Sequence, residues 1–352
     1  MDVTMPNAGG GPESRYRADE SLAAGPPLVL CAAEVAAALD REALIEALAA
    51  AFRGGCEAPR RHHHAIPIPG EPDATLLLMP AWSVGRHFGV KVAAVVPGNN
   101  ARFLPAVQSQ YLLFCGRTGR LRAALDGNEL TSRRTVAASS LAARFLALPG
   151  AGRLLIVGTG EIARHVAASH AALRPIRSVE VWGRSPAKAQ AVAADLTRAG
   201  VNASPATDLA EACARADIIT CCTLSREPLV EGRWLRPGTH LDLIGGFTPA
   251  MREVDDGAVA RATLFIDTPA ALHEAGDLAI PLARGIIAPT AVAGDLADLA
   301  SGRHPGRTSV DEITLFKSVG ASIEDLAAAI LCVERHRARP ASVFPTPVEA
   351  RP

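Results

Sequence analysis

Between Arg153 and Ala163 the sequence RLLIVGTGEIA runs an apolar strand straight into Gly158, Gly160 and Ala163. Those types at that spacing suit a pyrophosphate. Gly158 lets the chain turn sharply off the strand, Gly160 takes a Cβ out of the path of the phosphates, and Ala163 lets the next helix pack close to the sheet. The helix start, with Thr159, Glu161 and Ile162 around the glycines, offers free N–H groups and a partial positive charge. The triplet alone is a weak signal that any glycine-containing strand-to-helix turn can imitate. Its context is stronger, because Leu154 to Val157 is β-prone and Ile162 to Leu173 has helical spacing of apolar residues. The segment predicts a Rossmann-type site for a nicotinamide or flavin dinucleotide.

A second strand, Ser178 to Trp182, ends about 20 residues beyond the glycines, where such folds read the ribose 2′ position. Gly183, Arg184, Ser185 and Pro186 follow, then Lys188, with no acidic residue to bind the ribose hydroxyls. A guanidinium and a hydroxyl suit a 2′-phosphate, so NADP(H) is favoured and NAD(H) stays open. The competing assignment has Arg184 stacked over adenine or facing solvent.

These residues need elements to hold them, and 352 residues suffice for two domains with separate cores. Formal net charge is zero and the pI is near 7.1, which points away from nucleic-acid and anionic-membrane partners. The seven cysteines form no CxxC, so neither a disulfide framework nor a zinc knuckle is indicated and a reducing cytoplasm is expected. No secretory signal and no apolar run of membrane-span length is present, so an unprocessed soluble chain is expected. His62, His63 and His64 are adjacent, but on a strand they point to alternate faces and lack accompanying carboxylates or cysteines. No metal site is expected.

Residues 1–24 read as a mobile extension and 339–352 as a loose proline-rich tail. Ala32 to Phe52 reads as one or two helices, with Asp40 the N-cap before Arg41 to Ala51. Thr75 to Met79, Gly89 to Val96 and Gln110 to Cys115 read as strands, with a hairpin turn at Arg117 to Gly119. From Thr131 to Leu148 a helix leads into further strands at Asp217 to Cys222, Thr239 to Ile244 and Thr263 to Asp267, with helical segments such as Pro186 to Ala199 between strands. Repeating strand and helix implies a doubly wound parallel sheet, an α/β fold, beside a mainly β (α+β) domain. A final helix, Ser322 to Arg337, returns to the first domain. The expected division is 25–130 plus 315–338 for substrate binding and dimerisation, and 131–314 for the nucleotide.

Several segments, in order, make the chain resemble the ornithine cyclodeaminase and mu-crystallin family. They are FGVKVAAVVPGNN at Phe88 to Asn100, LTSRRTVAAS at Leu130 to Ser139, GTGEIA with WGRSPAKA, DIITCCTLSREPLVEGRWLRPGTHLDLIGG at Asp217 to Gly246, and DEITLFKSVGASIEDLAAA at Asp311 to Ala329. The resemblance runs from about Leu28 to Arg337. It implies a homodimer whose β domain pairs between subunits, and hydride transfer between nicotinamide and the α-carbon of an amino or imino acid in the cleft beside it.

By that resemblance Arg134 is the carboxylate-binding arginine, and a guanidinium fixes a carboxylate's orientation as well as its affinity. Lys91 matches the active-site lysine, although a Lys among Val and Ala could also snorkel at an edge. Arg60 and Arg61 occupy the place of the other substrate arginine; the register stays open, with Arg61 favoured. Lys317 and Ser318, in FKSVG, are expected near the nicotinamide, Ser318 as a proton relay or as a loop-forming hydroxyl. Thr223 and Ser225 are expected on the cofactor's nicotinamide side. Asp242 reads as structural, and Arg252, Glu253, Asp255 and Asp256 as a charged turn and helix start.

One departure separates reactions within the family. Where the cyclodeaminases place an aspartate base after Gly-Gly, this chain has Phe247 after Gly245 and Gly246. Oxidising ornithine requires removing a proton from an α-ammonium, which Phe cannot do, whereas a protonated cyclic imine accepts hydride without such a base. Gly245 to Asp256 also looks like the loop of Δ1-pyrroline-2-carboxylate reductases, with Phe247 packed on the substrate ring or simply in the core. The expected activity is NAD(P)H-dependent reduction of cyclic α-imino acids, to L-proline or L-pipecolate. The rivals are ornithine cyclodeaminase, alanine dehydrogenase or opine-type synthesis, and a mu-crystallin-like binding protein.

Overall fold

In the N-terminal part, alternation between buried and half-buried residues builds one sheet from β1 (Leu28–Leu30), β2 (His62–Ile66), β3 (Ala74–Ser83), β4 (His87–Val95), β5 (Val107–Cys115) and β6 (Leu121–Asp126). The structure is a computed structural model and describes residues 26–338 apart from 103, so both expected loose ends lie outside the described residues. Strand order is β1-β6-β5-β4-β3-β2, antiparallel except for the β1–β6 pair. The helices of this part are α1 (Ala32–Ala38), α2 (Arg41–Gly54) and α3 (Gly127–Leu146).

The second sheet has eight strands, β7 (Arg153–Val157), β8 (Ser178–Trp182), β9 (Ala203–Pro205), β10 (Ile218–Cys221), β11 (His240–Leu243), β12 (Thr263–Ile266), β13 (Val292–Asp295) and β14 (Thr314–Lys317). They are all parallel, in the order β13-β12-β14-β11-β10-β7-β8-β9. Between them run α4 (Ala163–Ala171), α5 (Pro186–Arg198), α6 (Leu209–Arg215), α7 (Asp256–Arg261), α8 (Ala271–Glu274), α9 (Gly276–Ala283) and α10 (Leu296–Ser301), and α11 (Ser322–Ala338) closes the described chain.

Each layer follows from local pattern. Asp40 caps α2 by accepting from Ala43 N at 3.0 Å, and Asp126 caps α3 by accepting from Glu129 N at 2.8 Å. Leu44, Ile45, Leu48, Ala49 and Phe52 form one buried stripe of α2. That stripe meets α3 and α11, and α11 lies across the inner faces of β3, β4 and β5. Leu48, Leu141 and Leu326 are fully buried there, each worth about 1.5–3 kcal/mol on the transfer scale. In β7, Leu154 and Ile156 face α4 and α5, while Leu155 and Val157 face the opposite layer with α6, α7 and α9. Burial on both faces explains why its strands are apolar throughout rather than alternating.

The structure departs from expectation at several places. β1, β9 and β13 are three or four residues long, too short to show a period, and the exposed β2 reads HHHAI. β6 was likewise not anticipated, and α3 begins at Gly127, not Thr131, because Asp126 supplies the cap. The expected boundary at 315 cuts β14, which is hydrogen-bonded between β11 and β12, so the return to the first sheet starts only after Lys317.

Candidate active site

The inner face of the first sheet carries a row set by register: Met79 pairs with Lys91, and Lys91 with Tyr111. Lys91 is therefore no edge residue. It is 4% exposed, its Nζ lying 2.9 Å from Asp325 Oδ2 and 3.3 Å from Thr131 Oγ1. Burial pushes its ammonium down to about 8, with Arg134 and Arg61 acting the same way and Asp325 opposing.

Arg134 projects from α3 into the same space. Its Nε donates to Asp325 Oδ1 at 2.9 Å and its Nη1 to Glu324 Oε2 at 2.6 Å. Burial works against the charged guanidinium, but Asp325 and Glu324 outweigh it and raise its pKa. Burial pushes Glu324 up to about 7, whereas Arg134 and Lys91 outweigh burial at Asp325 and hold it below the usual carboxylate range. Gly320 closes against this group: its φ is +79°, and a Cβ there would stand 2.6 Å from Arg134 Nη1.

Arg61 reaches the same turn from the far side. Its Nη2 donates to Gly320 O at 2.7 Å and Val319 O at 3.1 Å, and lies 3.1 Å from Glu274 Oε2. Arg60 is exposed and stands apart, so the register left open by the sequence falls on Arg61. The three histidines beside it are exposed, and among the described residues no cluster of His, Cys, Asp and Glu could hold a metal ion.

Asp267, at the end of β12, holds the turn itself. Its Oδ2 accepts from Ser318 Oγ at 2.9 Å, Val319 N at 2.8 Å and Gly320 N at 2.7 Å. Ser318 thus spends its proton on shaping the loop, which corrects the expectation of direct substrate contact. Lys317 needs a similar correction: fully buried, its Nζ lies 3.1 Å from Asp277 Oδ2 and 3.7 Å from Glu253 Oε2, so it cannot touch a cofactor.

At the C-terminal edge of the second sheet, Gly158 has φ +139°, and a Cβ would meet Cys222 O at 2.8 Å. A Cβ on Gly160 would meet nothing within 4 Å, and Ala163 is fully buried under α4. Thr159, Glu161 and Ile162 make the turn between β7 and α4. The open space before a helix start fits a dinucleotide's phosphates. Beyond β8, Arg184 and Lys188 are exposed and without ion-pair partners among the described residues, while Ser185 caps α5 by accepting from Lys188 N at 3.4 Å. Thr223 is tied to Glu253, and Ser225 Oγ donates to Glu227 O at 2.7 Å, turning into its own loop. Phe247 is half-buried just after β11, where an acidic side chain would otherwise face the cleft.

Asp242 is structural as expected, accepting from Thr220 Oγ1 at 3.0 Å and from Ser139 inside the core. Asp255 caps α7, also as expected, but Glu253 is a fully buried acceptor rather than part of a solvated turn. Sequence reasoning missed Glu324 and Asp325 as well. One signal was available, since two adjacent acids interrupt the run SIEDLAAAI on a helix with no polar face to spare.

The profile of the ornithine cyclodeaminase/mu-crystallin family matches residues 26–339. A Δ1-pyrroline-2-carboxylate reductase of Paracoccus denitrificans is 41% identical over 262 residues, 74% of this chain and 83% of its own. Among solved structures, Thermococcus litoralis Δ1-pyrroline-2-carboxylate reductase in complex with NADH and L-proline superposes with a TM-score of 0.82 at 31% identity, over 88% of this chain and 97% of that one. An archaeal alanine dehydrogenase dimer with bound NAD gives 0.81 at 28% identity, over 88% and 95%.

Proposed function

The chain belongs to the ornithine cyclodeaminase/mu-crystallin family, and from that premise we propose that it reduces cyclic α-imino acids with NAD(P)H, Δ1-pyrroline-2-carboxylate to L-proline first among them. One observation carries the choice of reaction. Arg61, Lys91 and Arg134 converge around the turn at Val319 and Gly320, yet the residue after Gly245 and Gly246 is Phe247 and not a base. Relatives with pyrroline-2-carboxylate reductase activity support it.

The bound cofactor supplies hydride to the imine carbon. Arg134 and Arg61 hold the substrate carboxylate, so that this carbon is presented in one orientation. Three cations, Arg61, Lys91 and Arg134, face three carboxylates, Glu274, Glu324 and Asp325. A protonated imine carrying one carboxylate has no net charge and leaves this balance intact, whereas a dicarboxylate would add uncompensated charge in a buried place. Lys91, poised near pH 8 beside Asp325, keeps the nitrogen protonated. Reduction then needs no proton removed from the α-amine, and Phe247 closes that side with an apolar surface.

The finer assignments follow from the same geometry. Arg184 and Lys188, exposed and unpaired among the described residues, favour NADPH over NADH. The outer face of the first sheet carries half-buried Leu78, Val90, Val92 and Leu112, with Phe88 stacked on Phe114 at 4.9 Å, which suits pairing with a second copy. All seven cysteines are free and no described helix is long and apolar enough to cross a membrane, which fits a cytoplasmic protein.

The test is loss of absorbance at 340 nm when the purified protein meets NADPH or NADH with Δ1-pyrroline-2-carboxylate, repeated with Lys91→Ala and Arg134→Ala. Rapid oxidation abolished by both substitutions is the expected result. Conversion of ornithine to proline and ammonia, with no imine reduction by either coenzyme, would assign the chain to the cyclodeaminases instead.

A further inference from the structure

The loops leaving β10 and β11 are joined through one buried carboxylate that the reaction itself does not use. Glu253 Oε1 accepts from Thr223 N at 2.7 Å and Thr223 Oγ1 at 2.9 Å, and its Oε2 accepts from Gly245 N at 3.0 Å and Gly246 N at 3.3 Å. All of these donors belong to the two loops. Asp277 fixes the carboxylate's own backbone, its Oδ1 accepting from Glu253 N at 2.7 Å and Val254 N at 3.1 Å. Lys317 at the end of β14 supplies the compensating charge, 3.7 Å from Glu253 Oε2. The loops approach each other closely enough that a Cβ on Gly245 would stand 2.1 Å from Thr223 O.

In a doubly wound sheet the ligand lies across the C-terminal strand ends at the point where strand order reverses. Here β7 carries Gly158 and Gly160, with β8 and β9 on one side and β10 and β11 on the other. The adenosine half of a dinucleotide belongs over β8, beside Arg184, which leaves the nicotinamide half to the Thr223 and Gly245–Gly246 loops. We propose that Glu253 is a positioning residue for that half: by tying both loops to one carboxylate it sets the spacing of the floor on which the nicotinamide rests. The proposal rests on the cofactor assignment above.

The experiment compares NADH with ADP-ribose, which keeps the adenosine half and lacks the nicotinamide. Affinities are measured by nicotinamide fluorescence and by calorimetry for the unsubstituted protein, Glu253→Gln and Thr223→Val. Gln keeps one acceptor oxygen but turns an NH2 towards donors of one loop, leaving them unpaired. Glu253→Gln is expected to weaken NADH roughly ten-fold, about 1.4 kcal/mol, with ADP-ribose changed less than about two-fold. Thr223→Val, which removes a single donor, should weaken NADH in the same selective sense but less, and it decides the matter if Glu253→Gln does not fold. Equal weakening of both ligands, or unchanged NADH affinity in folded variants, would overturn the positioning role. Failure of the unsubstituted protein to bind either ligand would remove the cofactor assignment, and the proposal with it.

Discussion

At Lys91 a charge sits where charge is costly, and its titration is the most direct handle on the site. Burial leaves the ammonium with a pKa of about 8, and only the protonated form pairs with a substrate carboxylate. The value of kcat/KM for imine reduction should therefore fall as pH rises through about 8, and Lys91→Arg should move that limb upward, because guanidinium keeps its proton. A profile flat from pH 7 to 9.5 would remove Lys91 from substrate binding. The same shift bears on stability. Between about 8 and the unfolded value near 10.4 the unfolded chain binds the extra proton, so this residue makes stability rise with pH across that window. Arg134 requires a gentler probe than truncation, since Arg134→Ala strands Glu324 and Asp325 and should cost about 3–5 kcal/mol of stability. Gly320→Ala keeps the cation but crowds it from 2.6 Å and strains a backbone at φ +79°. We expect a raised KM for the imine and an unchanged Kd for the coenzyme, read from steady-state kinetics and coenzyme titration.

The turn between β7 and α4 shows how two glycines in one motif do different work. Gly158 is required by the fold, because its φ is +139° and a Cβ would meet Cys222 O at 2.8 Å. Gly160 is required only by a ligand, because a Cβ there would meet nothing. Gly158→Ala should lower the melting temperature of the free protein, whereas Gly160→Ala should leave it within about 1 °C and still weaken dinucleotide binding roughly ten-fold or more. Equal behaviour of the two variants in thermal unfolding would contradict this division. The strand that ends at Arg184 offers a second contrast: Arg184→Ala should lower kcat/KM for NADPH roughly ten-fold and leave that for NADH nearly unchanged. A parallel loss with both coenzymes would move Arg184 away from the 2′-phosphate.

For the molecule as a whole, the first sheet is covered on its inner face by α2, α3 and α11 and left apolar on its outer face. Val92 lies near the middle of that outer face, opposite Leu78 and Gln110. Val92→Glu should convert a dimer to monomers in sedimentation equilibrium while the pairs around Lys91, on the inner face, stay in place. A protein that sediments as a monomer before any substitution would refute the dimer.

Some of this was legible in the sequence because it depends on neighbours along the chain. The pattern of β7, Gly158, Gly160 and α4, the Asp40 cap of α2 and the apolar strands of the parallel sheet are all set within a few residues. Lys91 and Arg134 were found by resemblance, and Phe247 by its departure from it. Other features come from segments far apart in sequence. Asp325 meets Lys91 across 234 positions and Arg61 meets Gly320 across 259, and no local period encodes such pairings. The same holds for Glu253, whose place in an acidic turn suggested solvent, and for Lys317, expected at the cofactor. The packing of α9 and β14 around them excluded water, and a charge without water must find its partners within the protein. Residue types and spacing therefore determined the fold class and the chemistry within reach. Only the tertiary structure decided which charges face each other, because that depends on which surfaces become buried together.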